Sequence, residues 1–342
     1  MGRRRGHTIE DVARAAGVSI SAVSFALNDK GNLGAATRAR IKQAAADLDY
    51  QADALARGLR RMPMGTIGIV VRPLDALGEY ALGGVDFFSR LIAAAAVAGM
   101  DRGLGVMLVP NLLKSPVPAF AYALDGYVVV DPEVDDPVVR RLEERGIPYV
   151  SIGRDVARPD STRWVACDDR ALREALGHVV SAGARDVALV TGTDANAWNQ
   201  ELELAYRSWM TGAGLGHRVL SAPEAAGIPG GRAVAARLLG EGLPDAVLCA
   251  TGRQAVGVVE ELTGRGVGVP SRVLVATASD SEHARLSAPA VTAIDMHPEG
   301  LAASAVDMLQ DVIHGRPVPE GLRLPTTLLP RASTHRPAPE EG

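Results

Sequence analysis

A chain of 342 residues exceeds what one hydrophobic core usually supports, so at ~150 residues per domain it should fold as two or three units. With 47% hydrophobic and 22% charged residues it has a globular composition, and no apolar run reaches the ~18 residues of a membrane span. The net charge of −4 conceals two opposed parts: residues 1–61 hold 11 Lys plus Arg against 6 Asp plus Glu, a net +5, and the remainder carries −9, so a polyanion is the expected partner of the first part alone.

The first residues, Met1-Gly2-Arg3-Arg4-Arg5-Gly6-His7, lead into a polar helix without an apolar signal segment, which makes the cytoplasm the expected compartment. Cys167 and Cys249 stand far apart in apolar, strand-like runs and read as core thiols. Helices are predicted over 9–16, 19–28 and 37–48, with breakers at Gly17, Gly31 and Gly34. Thr8-Ile9-Glu10-Asp11 has the form of a capping box that starts the first. Ala13 stands where two helices must approach closely, Gly17 offers the positive φ for a turn, and Val23, ten residues after Ala13, buries the second helix on the first. That spacing is a helix-turn-helix signature. Ser19 caps the second helix, whose first turn would set Ile20, Ser21 and Ala22 against base edges, with Ser24 placed for a phosphate.

From Thr66 short β-branched runs alternate with amphipathic stretches, the pattern of a parallel sheet with crossover helices. Strands are predicted at 66–71, 106–109, 127–130, 149–152, 187–191, 246–250, 273–276 and 291–294, and helices at 87–102, 138–145, 170–182, 233–239, 254–265 and 301–314. There is no repeat of solenoid period, and the Pro- and Glu-rich tail, 333–342, is expected to be disordered.

Thr8-Ile9-Glu10-Asp11-Val12-Ala13, Ala16-Gly17-Val18-Ser19, Val23-Ser24, Leu27-Asn28, Thr37-Arg38-Ala39-Arg40-Ile41, Leu48-Asp49-Tyr50 and Ala56-Arg57-Gly58-Leu59 together resemble the headpiece of the LacI/GalR (lactose-repressor) family. The resemblance implies a sequence-specific transcriptional regulator, expected to be a repressor although activation stays open, that binds an inverted-repeat operator in double-stranded DNA as a homodimer. It divides the chain into a headpiece at 1–51, a hinge helix and linker at 52–64, an effector-binding and dimerisation domain at 65–332 and the tail. By position it assigns DNA contacts to Thr8, Ser19, Ile20, Ser21, Ala22, Ser24, Phe25, Asn28, Arg38 and Arg40, with Ala56 and Arg57 along the minor groove and Leu59 as the wedge that kinks it. Ala52 stands where the family usually has Pro, Asp53 where it has Asn, and Phe25 where a base-reading Arg is frequent, so base choice would rest on apolar contact and shape.

For the remainder, the resemblance implies an α/β fold of the type I periplasmic-binding-protein kind, two Rossmann-like lobes with a small-molecule effector between them. Family-like anchors include Ile67-Gly68-Ile69-Val70, Leu124-Asp125-Gly126-Tyr127, Val165-Ala166-Cys167-Asp168 and Asp245-Ala246-Val247-Leu248. By position the effector would meet Phe87, Phe88, Asp168, Trp198, Leu202, Thr251, Ser279 and Asp280. Phe87 and Phe88 read equally well as core residues, and Asp168 as a helix cap. Leu202, Thr251, Ala278 and Ser279 stand where the family presents a cation, an amide, an aromatic and an acid, which predicts a cleft poor in fixed charge that holds simple hexoses and purines weakly, its effector being more apolar, larger or absent.

An α/β nucleotide or sugar enzyme is the competing class. Gly212-Ala213-Gly214-Leu215-Gly216 and Gly264-Arg265-Gly266-Val267-Gly268 follow helices and precede strands, opposite to a phosphate-cradling loop, and so read as helix C-caps. Asp135-Asp136 and Asp168-Asp169 read as helix starts, and the seven His lack ligand spacing. No catalytic, metal or cofactor site is therefore expected. A free solute-binding receptor would carry a signal segment and no headpiece.

Overall fold

The computed structural model describes residues 9–27, 33–48, 63–72, 86–109, 112–113 and 119–335 and divides into two units, 1–64 and 65–342. Thr8, Asn28, Ala56, Arg57 and Leu59, with the rest of the hinge, lie outside the described residues.

In the first unit α1 (Ile9–Ala16), α2 (Ile20–Leu27) and α3 (Ala35–Asp47) enclose a core of Val12, Ala13, Ala16, Val23, Ala26, Ile41 and Ala45. Four of these seven are alanines, so the helices pack closely without long side chains between them. Gly17 turns the chain at φ 63°, and the Val18 N–H closes the turn on the Ala13 carbonyl at 3.0 Å. Ser19 caps α2, its Oγ accepting from the Ala22 N–H at 3.2 Å.

The second unit holds two six-stranded sheets. The first contains β1 (Thr66–Val71), β2 (Gly105–Leu108), β3 (Tyr127–Val130), β4 (Tyr149–Ile152), β5 (Trp164–Cys167) and β11 (Leu322–Leu324), ordered β11-β5-β4-β3-β1-β2 and parallel throughout. The second contains β6 (Val187–Thr191), β7 (Arg218–Ser221), β8 (Ala246–Cys249), β9 (Leu274–Thr277), β10 (Thr292–Asp295) and β12 (Thr327–Leu329), ordered β12-β10-β9-β8-β6-β7 with only β12 antiparallel. The chain crosses between these lobes three times, after β5, after β10 and between β11 and β12. Helices α4 (Asp86–Asp101) and α11 (Pro298–Ile313) cover one face of the first sheet, and α5 (Pro137–Glu144) covers the other. In the second lobe α6 (Arg170–Ser181) and α7 (Ala197–Gly212) pack on one face, α8 (Gly227–Glu241) and α9 (Gly252–Gly264) on the other, and the short α10 (Glu282–Leu286) follows β9. The central strands are buried on both faces, which is why they read as unbroken apolar runs.

Four strands, β5, β7, β11 and β12, and two helices, α7 and α10, were not among the predicted elements. Helix α8 begins at Gly227, before its predicted start at 233, through Pro229, Gly230 and Gly231. A Cβ on Gly231 would lie 2.0 Å from the Gln254 carbonyl, so the glycines that argue against a helix are what let α8 sit against α9. Gly214 and Gly266, past the ends of α7 and α9, have φ of 69° and 77°, as helix-terminating turns require. The tail begins later than expected: Ser333 and Thr334 are buried, with the Ser333 hydroxyl accepting from the Thr292 N–H at 2.8 Å.

At the end of β1, Arg72 is buried and donates to Asp136 at 2.8 Å, while Asp136 also caps α5 by accepting from the Val138 N–H at 2.7 Å. Removing one partner of a buried pair leaves an uncompensated charge, so Arg72→Met should lower the urea-unfolding stability of the second unit by about 3–5 kcal/mol. Arg207→Met, which breaks the exposed pair with Glu203, should leave the midpoint nearly unchanged.

Candidate functional site

On α2 the buried residues Val23 and Ala26 fix which face remains outside. Ile20, Ser21 and Phe25 are exposed, Ile20 at 46% and Phe25 at 48%, and Ser24 is half-buried beside them. Ala22 turns inward and packs on the core, so it does not share the exposed face with Ser21. Arg38 donates to the Phe25 carbonyl at 3.5 Å, bringing a guanidinium to the last turn of α2, and Arg40 is exposed on α3. A polar and apolar strip on a short helix, with Arg on the neighbouring helix, has the chemistry to read groove edges while holding phosphates.

In the second unit the carboxyl ends of β3, β4 and β5 in one lobe and of β8, β9 and β10 in the other open onto a cavity of about 480 Å³. All eight positions to which the family resemblance pointed line it. Phe87 and Phe88 meet edge to face with ring centroids 5.3 Å apart, packing on the first lobe's core while also facing the cavity. Asp168 stands at the first crossing, and its Oδ1 accepts from the Thr326 hydroxyl at 2.7 Å and the Thr326 N–H at 3.0 Å, which ties two crossings together. Leu202 belongs to the second lobe's core, and Thr251 caps α9 through a reciprocal capping box with Gln254. Asp280 pairs with Arg285 at 2.7 Å and Arg331 at 2.8 Å. Burial works to raise its carboxyl, but the bonds from Arg331 and Arg285 outweigh that and hold it below the usual range. Trp198 packs on the second core, and its backbone N–H donates to Asp131 Oδ1 at 2.9 Å.

The expected shortage of fixed charge is corrected by the structure. Asp131, Arg154, Asp194, Glu201, Glu224, Arg253 and Arg323 also line the cavity, none of them at the positions compared from sequence. Their only sequence signal is placement: Asp131 directly follows β3, and Arg154 follows β4 after one glycine. Arg323 of the first lobe pairs with Glu201 of the second at 2.5 Å. Glu224 Oε1 accepts from the Asn199 amide at 2.5 Å.

Burial of the Asp131 carboxyl, reinforced by Glu224, Asp194 and Glu201 and opposed by the Trp198 N–H bond, pushes its pKa up to about 7. Cys167 lines the same cavity, and burial, with Asp168 and Glu201 alongside, pushes its thiol up to about 12; Cys249 is fully buried. Both thiols are thus poor nucleophiles at neutral pH. Among the described residues no three His, Cys, Asp or Glu group to hold a metal, and no helix is long and apolar enough to cross a membrane.

Between its ordinary value near 3.8 and about 7, Asp131 holds a proton in the native state that the unfolded chain releases. Its contribution to stability is therefore fully present below the lower value and lost as pH rises through the upper one. Asp131→Asn should flatten that part of the decline when thermal melts are compared from pH 5 to pH 8, and an unchanged slope would show that another group titrates there.

Residues 8–53 match the model of the bacterial regulatory proteins of the lacI family, and residues 176–334 match a periplasmic binding protein-like domain. The HTH-type transcriptional regulator CelR of Thermobifida fusca is 27% identical over 345 residues, spanning 97% of this chain and 100% of that protein. Among solved structures, a CelR–cellobiose complex superposes with a TM-score of 0.69 at 24% identity, covering 96% of this chain and 99% of that one. A lac repressor dimer bound to operator and the anti-inducer ONPF superposes at 0.76 and 21%, with the same coverage. With a lacI-type headpiece over residues 8–53, a periplasmic-binding-protein-like domain over 176–334 and relatives along its length that regulate transcription, this chain has the two-part make-up of a DNA-binding transcriptional regulator, and the proteins it resembles are regulators rather than enzymes.

Proposed function

We propose that the protein is a cytoplasmic repressor that binds an inverted-repeat operator as a homodimer and answers to a small molecule held in the cavity between its lobes. The observation that carries this reading is the presence, in one chain, of an exposed α2 strip built for a groove and of a walled cavity at the sheet ends. The CelR–cellobiose complex and the lac repressor dimer bound to operator and ONPF, structures of similar fold, support a small-molecule ligand and a dimer. Ser19, Ile20, Ser21, Ser24, Phe25, Arg38 and Arg40 would contact DNA, with Ala22 acting from behind them. Thr8, Asn28, Ala56, Arg57 and the wedge Leu59 complete the proposed set. Phe25 offers no donor to guanine, and an apolar contact with a thymine methyl is the chemistry left to it.

The proposed dimer has a suitable surface. Val97 and Met100 of α4 are 59% and 75% exposed, and Met107 and Leu108 are exposed on β2, which ends the first sheet. An apolar sheet edge beside an apolar helix face is a liability in water unless a partner covers it, and a two-headed operator reader needs a second copy of the chain. Met100→Asp with Leu108→Asp should convert a dimer to monomers by sedimentation and weaken operator binding. Unchanged mass would place the interface elsewhere.

Binding to DNA selected from a random pool should fall by about 0.9 log units per log unit of salt for each phosphate neutralised, and the selected sites should have dyad symmetry. Arg40→Ala should lower that slope by about one contact on every sequence, whereas replacing Ser21 or Phe25 should change the preferred bases. Sites without symmetry, or identical losses on matched and random DNA for both classes of variant, would overturn the assignment. Leu59→Ala should reduce affinity and bending without moving the melting temperature of the free protein.

A further inference from the structure

The cavity wall is unbalanced in charge, and its own pairings do not restore the balance. Arg173 is matched by Asp169 at 2.7 Å, Arg323 by Glu201, and Asp280 by two arginines, while Asp168 is engaged by Thr326. Glu224 takes amide bonds from Asn196 and Asn199, and Arg154 and Arg253 also stand on the wall. Of the remaining acids, Asp131 and Asp194, neither has an Arg, Lys or His within ion-pair distance among the described residues, and the Asp131 carboxylate has one hydrogen bond, from the Trp198 backbone N–H. The charges that act on Asp131, those of Glu224, Asp194 and Glu201, all share its sign. Asp131 is held at φ 53°, outside the range most side chains prefer, on a loop whose far end is fixed by the buried Arg72–Asp136 pair. Trp198, Phe87 and Phe88 line the same cavity and add aromatic surface to a wall otherwise largely aliphatic.

Like-charged carboxylates in a partly desolvated space disfavour one another's ionisation, and a neutral ligand leaves that cost in place. A hydroxyl would satisfy one lone pair of Asp131. An ammonium would satisfy it, offset the field of its acidic neighbours and gain from aromatic faces nearby. On the adjoining strand end, Arg154 lines the same cavity and its Nε is buried without a hydrogen-bond partner, a donor set for an oxygen on whatever binds. The two strand ends are joined directly, the Asp131 N–H donating to the Ile152 carbonyl at 2.7 Å.

We propose that the cavity recognises a small molecule bearing a protonated amine, with the ammonium on Asp131 beside Asp194 and an oxygen acceptor at Arg154. This rests on the reading of the cavity as the effector site. It differs from the expectation of an apolar effector, because the charge removed from the compared positions stands elsewhere in the wall.

The test uses pairs of probes that differ only in exchanging hydroxyls for amines, one in D-glucose against D-glucosamine and two in cellobiose against the β-1,4 disaccharide of two glucosamines. Titration calorimetry on the full chain at pH 7 should show each amine binding at least about tenfold tighter than its hydroxyl counterpart, corresponding to one well-placed charge interaction. The preference should disappear in Asp131→Asn and shrink in Asp194→Asn, a second variant that keeps the test usable if the first folds poorly. Equal or tighter binding of the hydroxyl sugars, absence of amine binding at millimolar concentration, or a preference that survives both variants would overturn the proposal. Ala205→Trp, which fills the cavity, separates the two readings. Sugar binding lost in that variant but indifferent to the amine leaves the effector cavity standing and removes the amine. Amine binding that persists in it removes the cavity reading itself and this proposal with it.

Discussion

Two parallel sheets present their carboxyl ends to one space, and that strand direction decides which residues can line it. A parallel sheet buried on both faces leaves its strands little freedom: Tyr127 to Val130, Ala246 to Cys249 and Leu274 to Thr277 are all buried and must be apolar or hydrogen-bonded. The residues just beyond each strand are under no such demand. Asp131, Arg154, Asp168, Thr251 and Ser279 occupy these places; Arg154 and Ser279 can change their chemistry without disturbing the sheet that positions them, while Asp131, Asp168 and Thr251 also bond to α7, a crossing and α9. The fold thereby separates a constrained scaffold from a variable wall.

The first unit makes the same separation on a smaller scale. Its core uses short side chains, so α1, α2 and α3 sit close and the orientation of α2 is fixed by Val23 and Ala26. The opposite strip, Ile20, Ser21 and Phe25, contributes little to that core and carries two large apolar groups into water. Isolated exposed apolar residues are ordinary, but two on one short helix beside the Arg38 guanidinium are better explained by a partner than by folding.

Much of this was legible from the sequence because local rules and tertiary outcome agree. The spacing of Ala13, Gly17 and Val23, the β-branched runs of the central strands and the glycines that end α7 and α9 each report a backbone demand that few residues meet. The misses have physical causes. Strands β7, β11 and β12 lie at or beside sheet edges and are partly exposed, so their apolar content is diluted. Helix α7 mixes Trp, Glu and Asn along its length because one side packs on a core while another lines a cavity. Helix α8 contains glycines that local propensity penalises and close packing on α9 requires. The cavity charges were missed for a different reason: the partners that define them, Arg323 and Glu201, are 122 positions apart. A comparison by position finds a charge only where it stood in the relative.

Those cross-lobe contacts also bear on how a ligand could be felt elsewhere. The Asp131 carboxylate, on the first lobe, accepts from the first turn of α7 on the second, and Arg323 reaches Glu201 further along the same helix. Helix α7 is thus held from the first lobe at its first turn, where the Ala197 N–H also donates to the Pro132 carbonyl at 2.8 Å, and again at Glu201, with Asp131 and Glu201 on the cavity wall. A ligand that engages Asp131 must either share it with the Trp198 N–H or displace it, and in both cases it alters a contact that depends on the distance between the lobes. Affinity alone would move nothing, since a ligand that bound open and closed arrangements equally would leave their ratio unchanged. Placing the recognition group on the residue that bridges the lobes gives binding and lobe position a common contact, and that shared contact is the physical condition for an effector to act beyond its own site.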